Sequence, residues 1–232
     1  FLAIIPLALL FEFKKFKSKI RIESKPFLLL SFLIGISLFL GSALQQVALL
    51  YTDVANAAFF TIFYVPMVPI IIFLFKKKSI HWSVWPSVDL CLIGGYLLTN
   101  FYDSTVRLGD GLVLIGALFW STHIIFTGMI ITKYNLPLTI GAIQTLIVSF
   151  FSFIVGFMYE EFIFDKIIKE IDSILYAGIL SGGFAFVLQI YAQRNITPAP
   201  AAIIFSLEGV FATIAAWFLL SQILDFNNIL GC

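Results

Sequence analysis

Seven stretches of this chain, at 27–49, 55–75, 84–101, 110–131, 137–158, 173–192 and 200–221, are nearly free of charge and are bounded by charged residues or proline. Each approaches the ~20 apolar residues that a ~30 Å hydrocarbon core demands. The runs are continuous rather than alternating, and a backbone facing lipid must satisfy its own hydrogen bonds, so they are expected as α-helices and not strands. With 61% hydrophobic and only 12% charged residues, the chain has too little polar surface for a soluble domain. An eighth apolar segment, FLAIIPLALLFEF, ends near Phe13 and is too short to span. Its positive charges follow the apolar residues, the reverse of a secretory signal, and it reads as the tail of a helix. The expected fold class is an all-α polytopic membrane protein.

The connecting segments separate by charge. One alternating set carries Lys14, Lys15, Lys17, Lys19, Arg21 and Lys25, then Lys76, Lys77 and Lys78, then Lys133, then Arg194. The other carries Asp53, then Asp103, Arg107 and Asp110, then EEFIFDKIIKEID, then Asp225. The positive-inside rule places the first set in the cytoplasm, and Trp82 and Trp85 beside Lys78 fit an interfacial aromatic belt.

A second regularity crosses this pattern. Leu44, Gln45, Ala48, Ala55, Ala57, Ala58 and Ile70 recur, about 144 positions on, as Leu188, Gln189, Ala192, Ala199, Ala201, Ala202 and Ile214. Ordered self-similarity of this kind is the mark of internally repeated transporters. Five span positions separate the two copies, and an odd step reverses direction through the bilayer, so the copies are expected to be inverted. Five-helix units would give a ten-helix protein: 1–104 is read as the first repeat, lacking its first helix and part of its second. Residues 105–232 are then the second repeat, lacking most of its last helix. The pairs Ser37 and Gly41, Gly178 and Gly182, and Ala212 and Ala216 have the small-xxx-small spacing that lets helix backbones approach.

Three segments carry a family resemblance. ANAAFFTIFYVPMVPII (55–71), GDGLVLIGALFWSTHIIFTG (109–128) and LQIYAQRNITPAPAAIIFSLEGVFA (188–212) resemble, in order and spacing, the fourth helix, the sixth helix and the eighth-to-ninth helix junction of EamA-type transporters of the drug/metabolite transporter superfamily. The resemblance runs over nearly the whole chain. It implies ten helices in two inverted five-helix repeats, cytoplasmic termini, and movement of small metabolites, usually export. The expected location is a plasma membrane, the bacterial inner membrane, with the basic loops cytoplasmic. Where that family often has Glu-Pro in the ninth helix, Glu208 is followed here by Gly209.

The candidate site is read from polar residues inside spans. Glu208 lies eight residues past Pro200, roughly 12 Å into a ~30 Å core. An ionisable group at that depth is costly and normally faces a cavity or a partner. Proton coupling and pairing with a cationic substrate compete with the role of a protonated packing residue. His123 falls near the midplane of its own span, with Trp120, Ser121 and Thr127 placed to extend its polar face, and a satisfied core histidine is the alternative. Gln45 and Gln189, at matching repeat positions, are candidate gate residues or interhelical glue. Asn56 and Tyr64 join the candidate substrate or proton-coupling residues, with Gln144 and Ser206 as further buried polar groups. Pro66 and Pro69 would free backbone carbonyls, tolerated where a cavity or neighbour satisfies them. His81 and Asp89 read as interfacial.

Other functions find less support. The chain has no HExxH, no GxSxG and only two histidines in unrelated contexts, so the alternative of a membrane-embedded enzyme lacks a nucleophile or metal constellation. Cys91 and Cys232 make neither a disulfide framework nor a metal set, and no cofactor is expected. A channel would need a repeated filter loop or charged ring. A non-transporting scaffold is the remaining alternative. Expected partners are a small-molecule metabolite and the lipid bilayer, with protons and a second copy of the chain as further candidates; the basic runs are topological rather than nucleic-acid binding.

Overall fold

Long uncharged runs can satisfy their backbone only as helices, and the computed structural model is helical throughout, with no strand among the residues it describes. Those residues are 1–77, 79–99, 106–221, 223 and 225–232, with side chains not described at 19–24, 76 and 220. Lys78 and Asp103, and the side chains of Lys19, Arg21 and Lys76, therefore lie outside the description. The helices are α1 (Ile4–Ala48), α2 (Val54–Thr61), α3 (Tyr64–Lys76), α4 (Val84–Leu98), α5 (Leu108–Tyr134), α6 (Pro137–Tyr159), α7 (Phe164–Lys169) and α8 (Ile171–Leu175). After a π-helical segment, Tyr176–Ala185, come α9 (Phe186–Ala192), α10 (Pro198–Phe205), α11 (Glu208–Leu220) and α12 (Phe226–Gly231).

Among the described residues six helical stretches are long and apolar enough to cross a membrane: Lys25–Ala48, Val54–Phe75, Leu108–Tyr134, Pro137–Tyr159, Ile171–Ala192 and Pro198–Leu219. They fall within a few residues of the expected spans. The remaining expected span is the shorter apolar helix α4.

The chain packs as two units, one formed by 1–39 with 126–196 and the other by 40–125 with 197–232. Each draws on both of the segments read as repeats.

In the first unit the core is Phe27, Ile34, Ile130, Ile131, Tyr134, Leu136, Ile140 and Ile190. The segment expected as a basic connector is helical here, but it does not run straight. The rings of Phe16 and Phe27 lie 6.1 Å apart, whereas a straight helix would separate them by about 16 Å along its axis. Pro26 sits at this change of direction; it cannot donate a backbone hydrogen bond, and its ring crowds the carbonyl four residues earlier. Both limbs of α1 then lie on α6. On the first limb, the buried Glu12 carboxylate accepts from the backbone N–H of Leu138 (3.1 Å) and Thr139 (2.8 Å) and from the Thr139 hydroxyl (2.8 Å). These are orphan donors of the first turn of α6, so the helix is capped by a residue far away in sequence. On the second limb, Gly35 packs on Ile147.

In the second unit Ala48, Ala57, Phe59, Phe60 and Val113 form the core. The end of α1 approaches α5 closely: a Cβ at Gly41 would meet the Trp120 indole at 3.3 Å, and one at Gly109 would meet the Ala48 carbonyl at 2.7 Å. Of the three small-xxx-small pairs, only the one containing Gly41 lies at such a contact. Nothing lies within 4 Å of where a Gly178 Cβ would be, and Ala212 is exposed. Small residues permit a close approach without compelling one. α10 packs on α3 and α4, and α12 on α4, where Asn228 Nδ2 donates to the Leu98 carbonyl at 2.9 Å.

Candidate functional site

Two of the spans are interrupted, and both interruptions lie in the second unit. α2 and α3 are parted at Ile62–Phe63, and α10 and α11 at Ser206–Leu207. α10 begins 144 residues after α2 (198 against 54) and ends 144 after it (205 against 61); α11 keeps the same offset from α3 at both ends. The cap conformations agree as well. Asp53 (φ −78°, ψ 154°) matches Thr197 (φ −71°, ψ 153°), and the left-handed Lys77 (φ 49°, ψ 28°) matches Ser221 (φ 52°, ψ 32°).

Three backbone bonds across each break also correspond. Phe63 N–H donates to the Phe60 carbonyl, Val65 to Ile62 and Met67 to Phe63; in the second span Leu207 donates to Ile204, Gly209 to Ser206 and Phe211 to Leu207. Each break is a short passage of i→i−3 bonds before α-helical bonding resumes. The first is explained by Pro66, which cannot donate to the Ile62 carbonyl and whose ring crowds it. The second has no proline. There the Ser206 hydroxyl donates to the Ile203 carbonyl at 2.7 Å, a back-bond that bends helices, and Gly209 adds backbone freedom. The second span is therefore interrupted next to Glu208 and Gly209 without a proline.

Tyr64 and Glu208 occupy the same place in the two spans, each the first residue of its second half-helix. The Tyr64 hydroxyl lies within electrostatic reach of the Glu208 carboxylate and the Cys91 thiol. Tyr64 is 4% exposed, and its hydroxyl has no hydrogen-bond partner among the described residues. Ser206 Oγ contacts Cys91 Sγ at 3.3 Å, and Ser121 Oγ reaches the Tyr64 carbonyl at 3.3 Å. Glu208 itself is exposed. The result is a hydroxyl, a carboxylate and a thiol gathered where two helices are interrupted, with α4 and α5 supplying the neighbours.

The other expected residues have separate surroundings. His123 is fully buried on α5 with its ring edge-on to Trp120, centroids 6.1 Å apart. Asn56 is fully buried and donates to Asp110 at 3.2 Å. Gln45 Nε2 donates to Thr61 Oγ1 at 3.2 Å, one residue before the first break. Gln189 is half-buried on α9, in the first unit. Thr127 and Gln144 are buried in that unit as well.

The sequence marks Asp110 only as a loop charge, yet it organises one end of the second unit. It is 1% exposed and accepts from the Thr52 hydroxyl, from Asn56 Nδ2 and, at 2.7 Å, from the Arg107 N–H. Arg107 in turn pairs with Asp53 at 2.7 Å. The N-termini of α2 and α5 are tied together by this knot. Its signal in the sequence was an acidic residue in the first turn of a helix, where the helix dipole favours one. Cys91 carried no such signal.

These features define a polytopic α-helical membrane protein with two matching interrupted spans, and known proteins place it further. The profile of the EamA-like transporter family matches residues 107–232, more than half the chain, and the chain belongs to that family, within the drug/metabolite transporter superfamily. An uncharacterized transporter of Archaeoglobus fulgidus is 34% identical over 198 residues, covering 83% of this chain and 61% of that protein. A second from the same organism is 25% identical over 197 residues, covering 82% of this chain and 66% of that protein. The chain thus spans 61% and 66% of the length of these relatives. One solved crystal structure shares the fold, with a TM-score of 0.69 at 12% identity, covering 90% of this chain and 85% of that one.

Proposed function

We propose that the chain forms the body of a secondary transporter that exports a small metabolite across the plasma membrane by alternating access between two inverted five-helix repeats, 1–104 and 105–232. The observation that carries this reading is the pair of interrupted spans, alike in bounds, caps and hydrogen bonds at one fixed offset. Discontinuous helices at corresponding positions of two halves are where transporters build their sites, because half-helix ends present unpaired backbone groups inside the membrane. Tyr64 and Glu208 are the substrate or proton-coupling residues at those ends. His123 and Trp120 line the pathway on α5, Asn56 holds the end of α2, and Gln45 and Gln189 serve as gate residues. The reading is a non-enzymatic one, with basic loops on the cytoplasmic side and protons as the coupling ion.

Flux in proteoliposomes of the full protein tests this. Vesicles are loaded with a panel of small metabolites, and release is followed by mass spectrometry with and without an imposed pH gradient. At least one metabolite is expected to leave faster under the gradient, and Glu208→Gln, checked for intact folding, is expected to lower that gain at least tenfold. Unchanged gradient-driven flux in Glu208→Gln removes the carboxylate from the mechanism. Chemical turnover of a metabolite with no vectorial movement replaces the transporter reading with an enzyme.

A further inference from the structure

The first unit contains an apolar groove of about 410 Å³ between the first limb of α1 and α6, with Ile5, Leu9, Phe13, Ala142 and Leu146 among its lining. Thr139 is the polar residue in that lining, and its hydroxyl is already donated to Glu12. From Thr139 to Leu146 the groove follows α6 for about 10 Å, the direction an acyl chain takes from the membrane surface inward.

The Thr139 end of the groove is basic. Lys15 Nζ reaches the Asn135 carbonyl at 3.4 Å, and Arg194 Nη1 reaches Asn135 Oδ1 at 3.5 Å. Two cations from distant parts of the chain thus converge on one residue, which holds a left-handed backbone (φ 52°) at the turn into α6. Both contacts are long, and an ammonium has three N–H donors and a guanidinium five, so donors remain for a further acceptor. Among the described residues the ion pair is Arg107–Asp53, in the other unit, and neither Lys15 nor Arg194 has a described carboxylate within pairing distance. Glu12, on the same limb as Lys15, is taken up by the N-terminus of α6. Lys14 and Lys17 add exposed positive charge alongside. Cations with no described carboxylate partner, at the mouth of an apolar slot, match one common membrane component, a lipid with a negative headgroup.

We propose that the first unit holds an anionic phospholipid, with one acyl chain in the groove between α1 and α6 and its phosphate against Lys15 and Arg194. The site is built from residues of the first unit alone and does not depend on the transport reading.

The full protein is released from nanodiscs containing equal phosphatidylglycerol and phosphatidylcholine with identical acyl chains, and retained lipid is counted by native mass spectrometry. Phosphatidylglycerol is expected to be retained in preference. A cation near an anionic surface contributes roughly a fivefold preference, so Lys15→Gln with Arg194→Gln is expected to lower it roughly 25-fold and leave phosphatidylcholine retention unchanged. Lys15→Gln alone, at an exposed side chain, is expected to lower it about fivefold. Leu9→Trp, which fills the groove from its exposed flank, is expected to reduce retention of both lipids. Equal retention of the two lipids by the unaltered protein overturns the proposal, as does a preference that survives the double substitution. Displacement of phosphatidylglycerol by inorganic phosphate, with Leu9→Trp without effect, overturns it by showing an anion site that needs no acyl chain.

Discussion

Replacing Asp110 is expected to loosen the second unit far more than replacing the other carboxylates at that end. The side chain is 1% exposed and accepts from Thr52, Asn56 and the Arg107 N–H. A hydrogen bond to a charged group is worth about 1.5–3 kcal/mol. The three share one acceptor and do not add, so Asp110→Ala should cost on the order of 3–5 kcal/mol, as when one partner of a buried charged network is removed. Asp110→Asn should be milder, since its amide oxygen can still accept from Asn56 and the Arg107 N–H while its NH2 donates to the Thr52 hydroxyl, and only the charge is lost. The Arg107–Asp53 pair is the internal control. Its side chains are 44% and 59% exposed, and exposed pairs are worth about 0–1 kcal/mol, so Asp53→Asn should fall under about 1 kcal/mol. Thermal unfolding of the purified protein in detergent, followed by tryptophan fluorescence, should show a drop on the order of 10 °C for Asp110→Ala and a small one for Asp53→Asn. If Asp110→Ala unfolds within about 2 °C of the unaltered protein, or Asp53→Asn is the more damaging, Asp110 does not hold α2 to α5.

Further expectations follow from single contacts. Gly109→Ala places a methyl 2.7 Å from the Ala48 carbonyl, a backbone atom that cannot swing away, and should cost about 1–3 kcal/mol; Gly111→Ala, with nothing within 4 Å, should gain up to about 1 kcal/mol from helix propensity, and the same melting assay reads both. Glu12→Ala strips the cap from α6 and leaves two half-buried N–H groups without their acceptor, so amide hydrogen exchange at Leu138 and Thr139 should accelerate at least tenfold, while exchange in the middle of α6 stays slow. Tyr64→Phe removes a buried hydroxyl that has no hydrogen-bond partner among the described residues; stability should hold or rise, whereas metabolite release from proteoliposomes should fall several-fold, and unchanged release would remove that hydroxyl from the site.

The span positions were legible because the bilayer imposes them: a run such as 137–158 has one way to satisfy its backbone, and α6 occupies Pro137–Tyr159. The interruptions were only half legible. Pro66 announces the first, but the second depends on a serine back-bond and a glycine that occur in many unbroken helices. The offset between the repeats was visible in a few alanines, leucines and glutamines and already sets Tyr64 against Glu208, yet with such different chemistry it gave no sign that each opens a half-helix. The doubling back of α1 was obscured because its lysines and arginines favour helix as readily as connector. Long-range partners such as Glu12 with Thr139, or Lys15 with Asn135, have no local signature, since they follow from the packing of limbs distant in sequence.

The central claim is that the two interrupted spans are copies of one another running in opposite senses through the bilayer. Asp53 and Thr197 hold the same cap conformation at the start of the two copies. With Cys91 and Cys232 replaced by serine, Asp53→Cys and Thr197→Cys can each be challenged by a membrane-impermeant thiol reagent applied to intact cells and to inside-out vesicles. The account predicts that one position labels from the outside and the other from the inside; labelling of both from the same side contradicts it.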